Sequence, residues 1–163
     1  MKNLLIILFI CISTFANSQT FDEILIEKYR WEAGKTGIDL ERYFKFRNLY
    51  SESISLASEK YSIPIALIEA VITVESNWNP NAKGTDNCNG LMQIQGGTFE
   101  PNRNIMNGTG ILNHYLIKSK NDTAKALTAF NRGYSGMLKY YKRFGQASNY
   151  AKKVLSVYQL IKK

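Results

Sequence analysis

The sequence predicts an all-α fold. Apolar residues recur at helical spacing through most of the chain, and the two-residue alternation of strands is nearly absent. The one long stretch rich in Asn and Gly lies between residues 77 and 97. Such a stretch reads as an extended, structured loop rather than as a further helix, and sites tend to lie on such loops. At 163 residues the chain has length for one domain with one core. It has no internal repeat and no low-complexity linker.

Each element has its own justification. Residues 1–18 read as a signal peptide: Lys2 supplies the positive start, and Leu4 to Ile12 form an apolar run short for a membrane span. The small residues of Ala16-Asn17-Ser18 place cleavage before Gln19, with an uncleaved anchor as the alternative. Residues 19–47 read as an N-terminal helical extension. Within it, Phe21 to Ala33 is amphipathic and Gly34-Lys35-Thr36-Gly37 breaks it. A second helix is expected from about Leu40 to Lys60, and Pro64 suits the first turn of the next. After the Asn/Gly-rich stretch, which has room for a short hairpin or helix near Leu91–Ile94, helices resume. They are expected at about Ile105–Lys118, Asp122–Asn131, Gly133–Phe144 and Ser148–Ile161. Residues 48–163 form the expected catalytic domain.

Glu75 is the residue that turns this pattern towards chemistry. It lies at the end of Pro64-Ile65-Ala66-Leu67-Ile68-Glu69-Ala70-Val71-Ile72-Thr73-Val74-Glu75-Ser76, which is almost wholly apolar. With Ile65 at zero on a helical wheel, Ile72, Ile68 and Val71 point to roughly 340°, 300° and 240°, and Glu75 to roughly 280°. A carboxylate in that arc faces the interior or a cleft. Burial raises its pKa, and so does the negative end of a helix that Asn77 and Pro80 soon stop. A carboxyl protonated near neutral pH is what a general acid requires. The structural alternative is a core-edge carboxylate paired with Lys or Arg.

Composition narrows the classes. The full chain carries a net charge of +8, with small basic clusters at Lys139–Arg143, Lys152-Lys153 and Lys162-Lys163. This balance suits an anionic polymer or surface, and no aromatic-basic nucleic-acid motif accompanies it. There are two cysteines, and Cys11 lies in the signal. Cys88 is then left without an intrachain partner, and an inert, half-buried thiol is the expected reading. With one histidine, His114, the residue set argues against a zinc site.

Further along, Gly90-Leu91-Met92-Gln93-Ile94 allows two readings: a core segment with a turn glycine, or a contact loop whose Gln93 needs a polar partner. Asn131, just before Gly133, is either a helix-end device or a groove residue. Tyr150 is either one of ten ordinary tyrosines or a site residue. Among aromatic candidates for stacking on a sugar face, Trp78, Tyr134, Tyr115 and Tyr150, Trp78 is favoured because it follows Glu75 directly in the loop.

Taken together, Glu75-Ser76, Gly90-Leu91-Met92-Gln93-Ile94, Ala129-Phe130-Asn131 and Tyr150 resemble the four successive motifs of the soluble-lytic-transglycosylase (SLT) domain family. The flanks Ala57-Ser58-Glu59-Lys60-Tyr61 and Pro101, Asn104-Ile105 and Gly108 agree, and the resemblance covers roughly Leu49 to Tyr158. It implies a lysozyme-like, goose-type/transglycosylase single domain with a long active-site loop, acting on peptidoglycan. It implies Glu75 as sole acid/base, with Ser76 orienting substrate or acid. Gly90 and Leu91 would shape a glycan-contacting loop, Met92 line the cleft, and Gln93 bond a sugar. Phe130 and Asn131 would lie in the groove and Tyr150 reach towards Glu75. Phe130 stands where the family usually has Tyr, and Arg132 where it usually has a small residue.

The chemistry so implied is substrate-assisted. One protein carboxyl suffices where a sugar acetamido group acts as nucleophile, and no metal or organic cofactor is called for. The bond would be the β-1,4 link from N-acetylmuramic acid (MurNAc) to N-acetylglucosamine (GlcNAc), and the product a 1,6-anhydro-MurNAc end. Three rivals remain: a goose-type lysozyme-like hydrolase with water directed by Asp86, a non-catalytic wall-binding module, and an accessory of an envelope-spanning secretion or conjugation apparatus. Glu100 is the other acid near the loop, with a helix cap as its structural alternative. The expected partner is peptidoglycan glycan strands. No nucleic acid and no stable membrane span after signal removal are expected, and the location is the periplasm or cell envelope.

Overall fold

A computed structural model describes residues 37–162, together with Gly34. The expected signal peptide and the Phe21–Ala33 helix lie outside the described residues. Six helices follow in order: α1 Leu40–Leu49, α2 Ser51–Tyr61, α3 Ile65–Ser76, α4 Pro101–Lys118, α5 Thr123–Phe144 and α6 Asn149–Ile161. Strand content among the described residues is one two-stranded ribbon, β1 Cys88–Asn89 with β2 Ile94–Gln95, paired antiparallel. The all-α class expected from the sequence is what the chain adopts.

Local chemistry sets the helix ends. Asp39, Glu100, Asp122 and Ser148 cap α1, α4, α5 and α6 by accepting backbone N–H bonds, which satisfies donors that the first turn leaves free. Glu100 uses both carboxylate oxygens in this way, on Asn102 and Arg103, ahead of Pro101 at the first position. α3 ends where Asn77 turns left-handed at φ 46°, and the Arg42 side chain donates to the Asn77 carbonyl. The helix expected over Leu40–Lys60 is in fact two. Tyr50 leaves helical geometry at φ −109°, ψ 11°, and the Ser51 hydroxyl takes up the Asn48 carbonyl. The turn lets Tyr50 bury its ring against Trp78, the planes 5° from parallel and the centroids 6.4 Å apart.

α3 is the central element. Residues Leu67 to Thr73 are buried on every side, so its surroundings, not one stripe, are apolar. α6 packs along it, α2 flanks it, and α4 and α5 close the other side through α2 and α6. One core cluster joins Tyr43, Ile54, Ile68, Ile72, Trp78, Leu91, Met92, Ile105, Leu127 and Val154. Tyr43 of α1 therefore shares the core of the later helices. Its hydroxyl donates to Glu69 at 2.8 Å, and Arg47 lies 3.4 Å from the other oxygen of that buried carboxylate.

Candidate active site

The site begins at the last turn of α3. Glu75 is half-buried there, and the Tyr150 hydroxyl, from the first turn of α6, donates to its carboxylate at 2.6 Å. These residues are 75 positions apart in sequence, and the packing of α6 on α3 is what joins them. Loss of water around the carboxyl raises the Glu75 pKa from 4.5 to about 7, against the opposing pull of the Tyr150 bond. The same contact, with burial, holds the Tyr150 phenol well above its ordinary value, so it remains a donor. Glu75 is thus poised to hold a proton near neutral pH and to release it with a hydrogen bond waiting for the resulting charge.

Glu69 is the second buried acid of α3, and the sequence reading passed over it. Burial raises its pKa, while Arg47 and the Tyr43 hydroxyl lower it. Its oxygens already have partners inside the core, which makes it structural. The signal was available: in a helix apolar all round, any acid is buried and needs a partner.

The loop after α3 folds over the core through Asn104. This fully buried amide accepts from the Met92 N–H at 2.8 Å and donates to the Asn89 and Thr98 carbonyls at 2.9 and 2.8 Å. Gly90 sits beside it at φ 78°, where a Cβ would come within 2.4 Å of the Asn104 amide nitrogen. Gln93 donates from its amide to the Ala82 and Gly90 carbonyls at 3.0 and 2.9 Å. The Gln93 nitrogen is therefore committed to the loop, and its oxygen is the atom left for other contacts.

Several expected contacts are corrected here. Trp78 does not stand in the loop for stacking: it is 0% exposed, donates to the Thr73 hydroxyl at 3.0 Å, and packs on Tyr43 and Tyr50. Met92 does not line a cleft, and neighbouring Leu91 packs into the core with it. Both are fully buried, with Met92 lodged against Gly108 and its sulfur 3.9 Å from the Thr109 hydroxyl. The large apolar area of these side chains drives them inward, and the one indole N–H among them finds its partner in Thr73. Ser76 turns its hydroxyl back onto the Ile72 carbonyl at 3.2 Å, so in this state it serves its own helix. Tyr134 is taken up by the end of α4, beneath Lys118.

A cavity of about 520 Å³ opens beside this loop, with Asp86, Cys88 and Gln93 on the loop side and Phe130, Asn131 and Arg132 on α5. A second of about 740 Å³, reaching to Tyr61 and His114, shares Ile94, Gln95, Ile111 and Tyr115 with it, so the two adjoin. Glu75 is not part of either lining. Cys88, which does line the first, has its thiol pushed up by burial, then by the charges of Glu75 and Asp86. Cys88 is thereby held as a neutral thiol, which is a poor nucleophile. Of the expected residues, Glu75 and Tyr150 meet directly, and Gln93, Phe130 and Asn131 share the adjoining wall. Gly90, Leu91 and Met92 support it from beneath.

Comparison with known proteins bears on what this arrangement does. Residues 52–100 match the family model of the Transglycosylase SLT domain. The membrane-bound lytic murein transglycosylase C of Edwardsiella ictaluri is 30% identical over 128 residues, covering 61% of this chain and 36% of that protein. The protein of the same name from Salmonella paratyphi B is 30% identical over 142 residues, covering 69% of this chain and 39% of its own length. The membrane-bound lytic murein transglycosylase E of Buchnera aphidicola is 38% identical over 69 residues, covering 42% and 32% respectively. The chain thus spans about a third of the length of these relatives.

Proposed function

We propose that this chain, which carries SLT-type transglycosylase domain sequence over residues 52–100, is a peptidoglycan lytic transglycosylase with Glu75 as its acid/base. The observation that carries the reading is the contact between Tyr150 and Glu75. It pairs a carboxyl whose pKa lies at about 7 with a hydroxyl ready to stabilise its ionised form.

The steps follow from that pair. A glycan strand lies along the adjoining cavities with a MurNAc–GlcNAc bond at Glu75. The protonated Glu75 gives its proton to the glycosidic oxygen as the bond to the muramoyl anomeric carbon breaks. The 2-acetamido oxygen of the same sugar bonds to that carbon and spreads the positive charge. The Glu75 carboxylate, held by Tyr150, then takes the proton of the muramoyl C6 hydroxyl. The C6 oxygen displaces the acetamido oxygen, which closes the 1,6-anhydro ring and returns Glu75 to its acid form.

One observation favours hydrolysis as a second reading. Asp86 stands on the cavity wall, and its charge and that of Glu75 both act on the Cys88 thiol. A water held by Asp86 would replace the C6 hydroxyl as nucleophile. Mass analysis of fragments from purified glycan strands separates the two. Anhydro ends, lighter by one water and without a reducing terminus, are expected. Reducing MurNAc ends, lost on Asp86→Asn, would replace this reading with the lysozyme one.

Peptidoglycan as substrate places the site of action in the envelope. Export by cleavage before Gln19 and residues 48–163 as the catalytic domain belong to the same proposal. No described helix is long and apolar enough to cross a membrane. The secretion or conjugation apparatus considered from sequence finds no supporting feature among the described residues and is not part of the proposal.

A further inference from the structure

The first cavity carries a charge of each sign. Asp86 comes from the loop and Arg132 from α5, so the lining draws an acid and a base from different segments. Arg132 is held at its place by two features of the segment that follows the break at Gly133. Its guanidinium lies over the Tyr140 ring, 4.8 Å from the centroid. Its stem runs past Gly136, where a Cβ would come within 3.0 Å of the Arg132 Cβ. Gly133 breaks the helical geometry between Arg132 and these two residues, so both contacts form across the break. Among the described residues no carboxylate pairs with Arg132. Stacking occupies the face of a guanidinium and leaves its in-plane N–H groups free, in the fork that matches a carboxylate.

We propose that Arg132 is a specificity residue that binds a carboxylate of the bound glycan strand. This rests on the proposed function above, and it names what a strand must carry at that part of the groove. The neighbours fit the role. Asn131 offers an amide beside the guanidinium, and Gly133, at φ 70°, ends the regular helix so that both residues lie on the cavity wall. The carboxylate has two sources in wall material: the peptide stems, or the lactyl group of muramic acid once its stem has been removed.

The test measures strand binding by the Glu75→Gln variant, with and without Arg132→Ala, at low salt. It uses strands with peptide stems, strands stripped of stems with lactyl carboxylates free, and stripped strands with those carboxylates blocked as amides. Loss of a charge-assisted bond weakens binding by about tenfold. That loss is expected on carboxylate-bearing strands and absent on blocked ones, with Arg132→Lys recovering part of it. A loss confined to stem-bearing strands names the peptide as the source. An equal loss on stripped strands with free lactyl groups names the lactyl group. Equal affinity of the two proteins for all strands, or equal loss on blocked strands, overturns the inference. Turnover by the parent chain is read separately. Binding that depends on Arg132 without any cleavage would sink the proposed function and leave this inference standing.

Discussion

At the scale of the residue, the question is what Glu75 gains and loses by its position. Folding raises its pKa from 4.5 to about 7. Its contribution to stability is therefore fully present below pH 4.5 and is lost as the pH rises through about 7. Glu75→Gln should abolish lysis, with a loss of at least about 10²-fold. The same variant should also be more stable than the parent at pH 8, by roughly 3 kcal/mol, and no more stable at pH 4. Activity assays and thermal melts at the two pH values check both halves. Tyr150→Phe removes the bond that pulls the Glu75 pKa down. The alkaline limb of the pH–activity profile should move upward while the maximum rate falls. An unmoved limb would mean that Tyr150 does not act on Glu75. The helical wheel found Glu75, but for a reason narrower than the structure supports. α3 is buried all round, and Glu69, off that arc, is deeper still at 4% exposure. What distinguished the two was the partners, Arg47 and Tyr43 for one and Tyr150 for the other, and those come from tertiary packing.

Among the elements, the loop between α3 and α4 shows how an irregular segment is made rigid. Asn104 satisfies one N–H and two carbonyls of that loop from a helix. Asn104→Ala strips these groups of their partners, at about 1–3 kcal/mol for each left buried and unpaired. Hydrogen exchange across residues 89–98 should quicken, and lytic activity should fall while helical circular dichroism stays near that of the parent. Unchanged exchange would show that the loop is held by the burial of Leu91 and Met92 alone. The helices themselves were legible because their signals are local. The start of α4 at Pro101 lies four residues ahead of the expected Ile105, since the Glu100 cap was one of two readings, but the break at Gly133 was written in the glycine itself. The division at Tyr50 was not, because it serves a ring stack with Trp78 that lies 28 positions on. The fate of Trp78 was misread for the same reason. An aromatic residue beside an acid suits a sugar face or a core equally well, and only the presence of Tyr43 and Tyr50 around it decides.

For the whole molecule, charge and topology have separate consequences. Under the proposed function, the net charge, +8 in the full chain and one less once Lys2 leaves with the signal, meets the carboxylates of a cell wall through long-range attraction that salt screens. Binding to isolated walls should weaken steadily between low and physiological ionic strength. Binding that ignores salt would assign the affinity to stacking and hydrogen bonds instead. The class of fold followed from periodicity, but the meeting of α3 with α6 did not, since nothing local in either segment specifies the other. That meeting also has a meaning in time. A ribosome finishes Glu75 long before it reaches Tyr150, and α6, which buries Ala151, Val154 and Val157, is the final described helix to be made. A nascent chain therefore carries the acid without its hydroxyl partner. The proposed acid and the hydroxyl that holds it can meet only after α6 has been made.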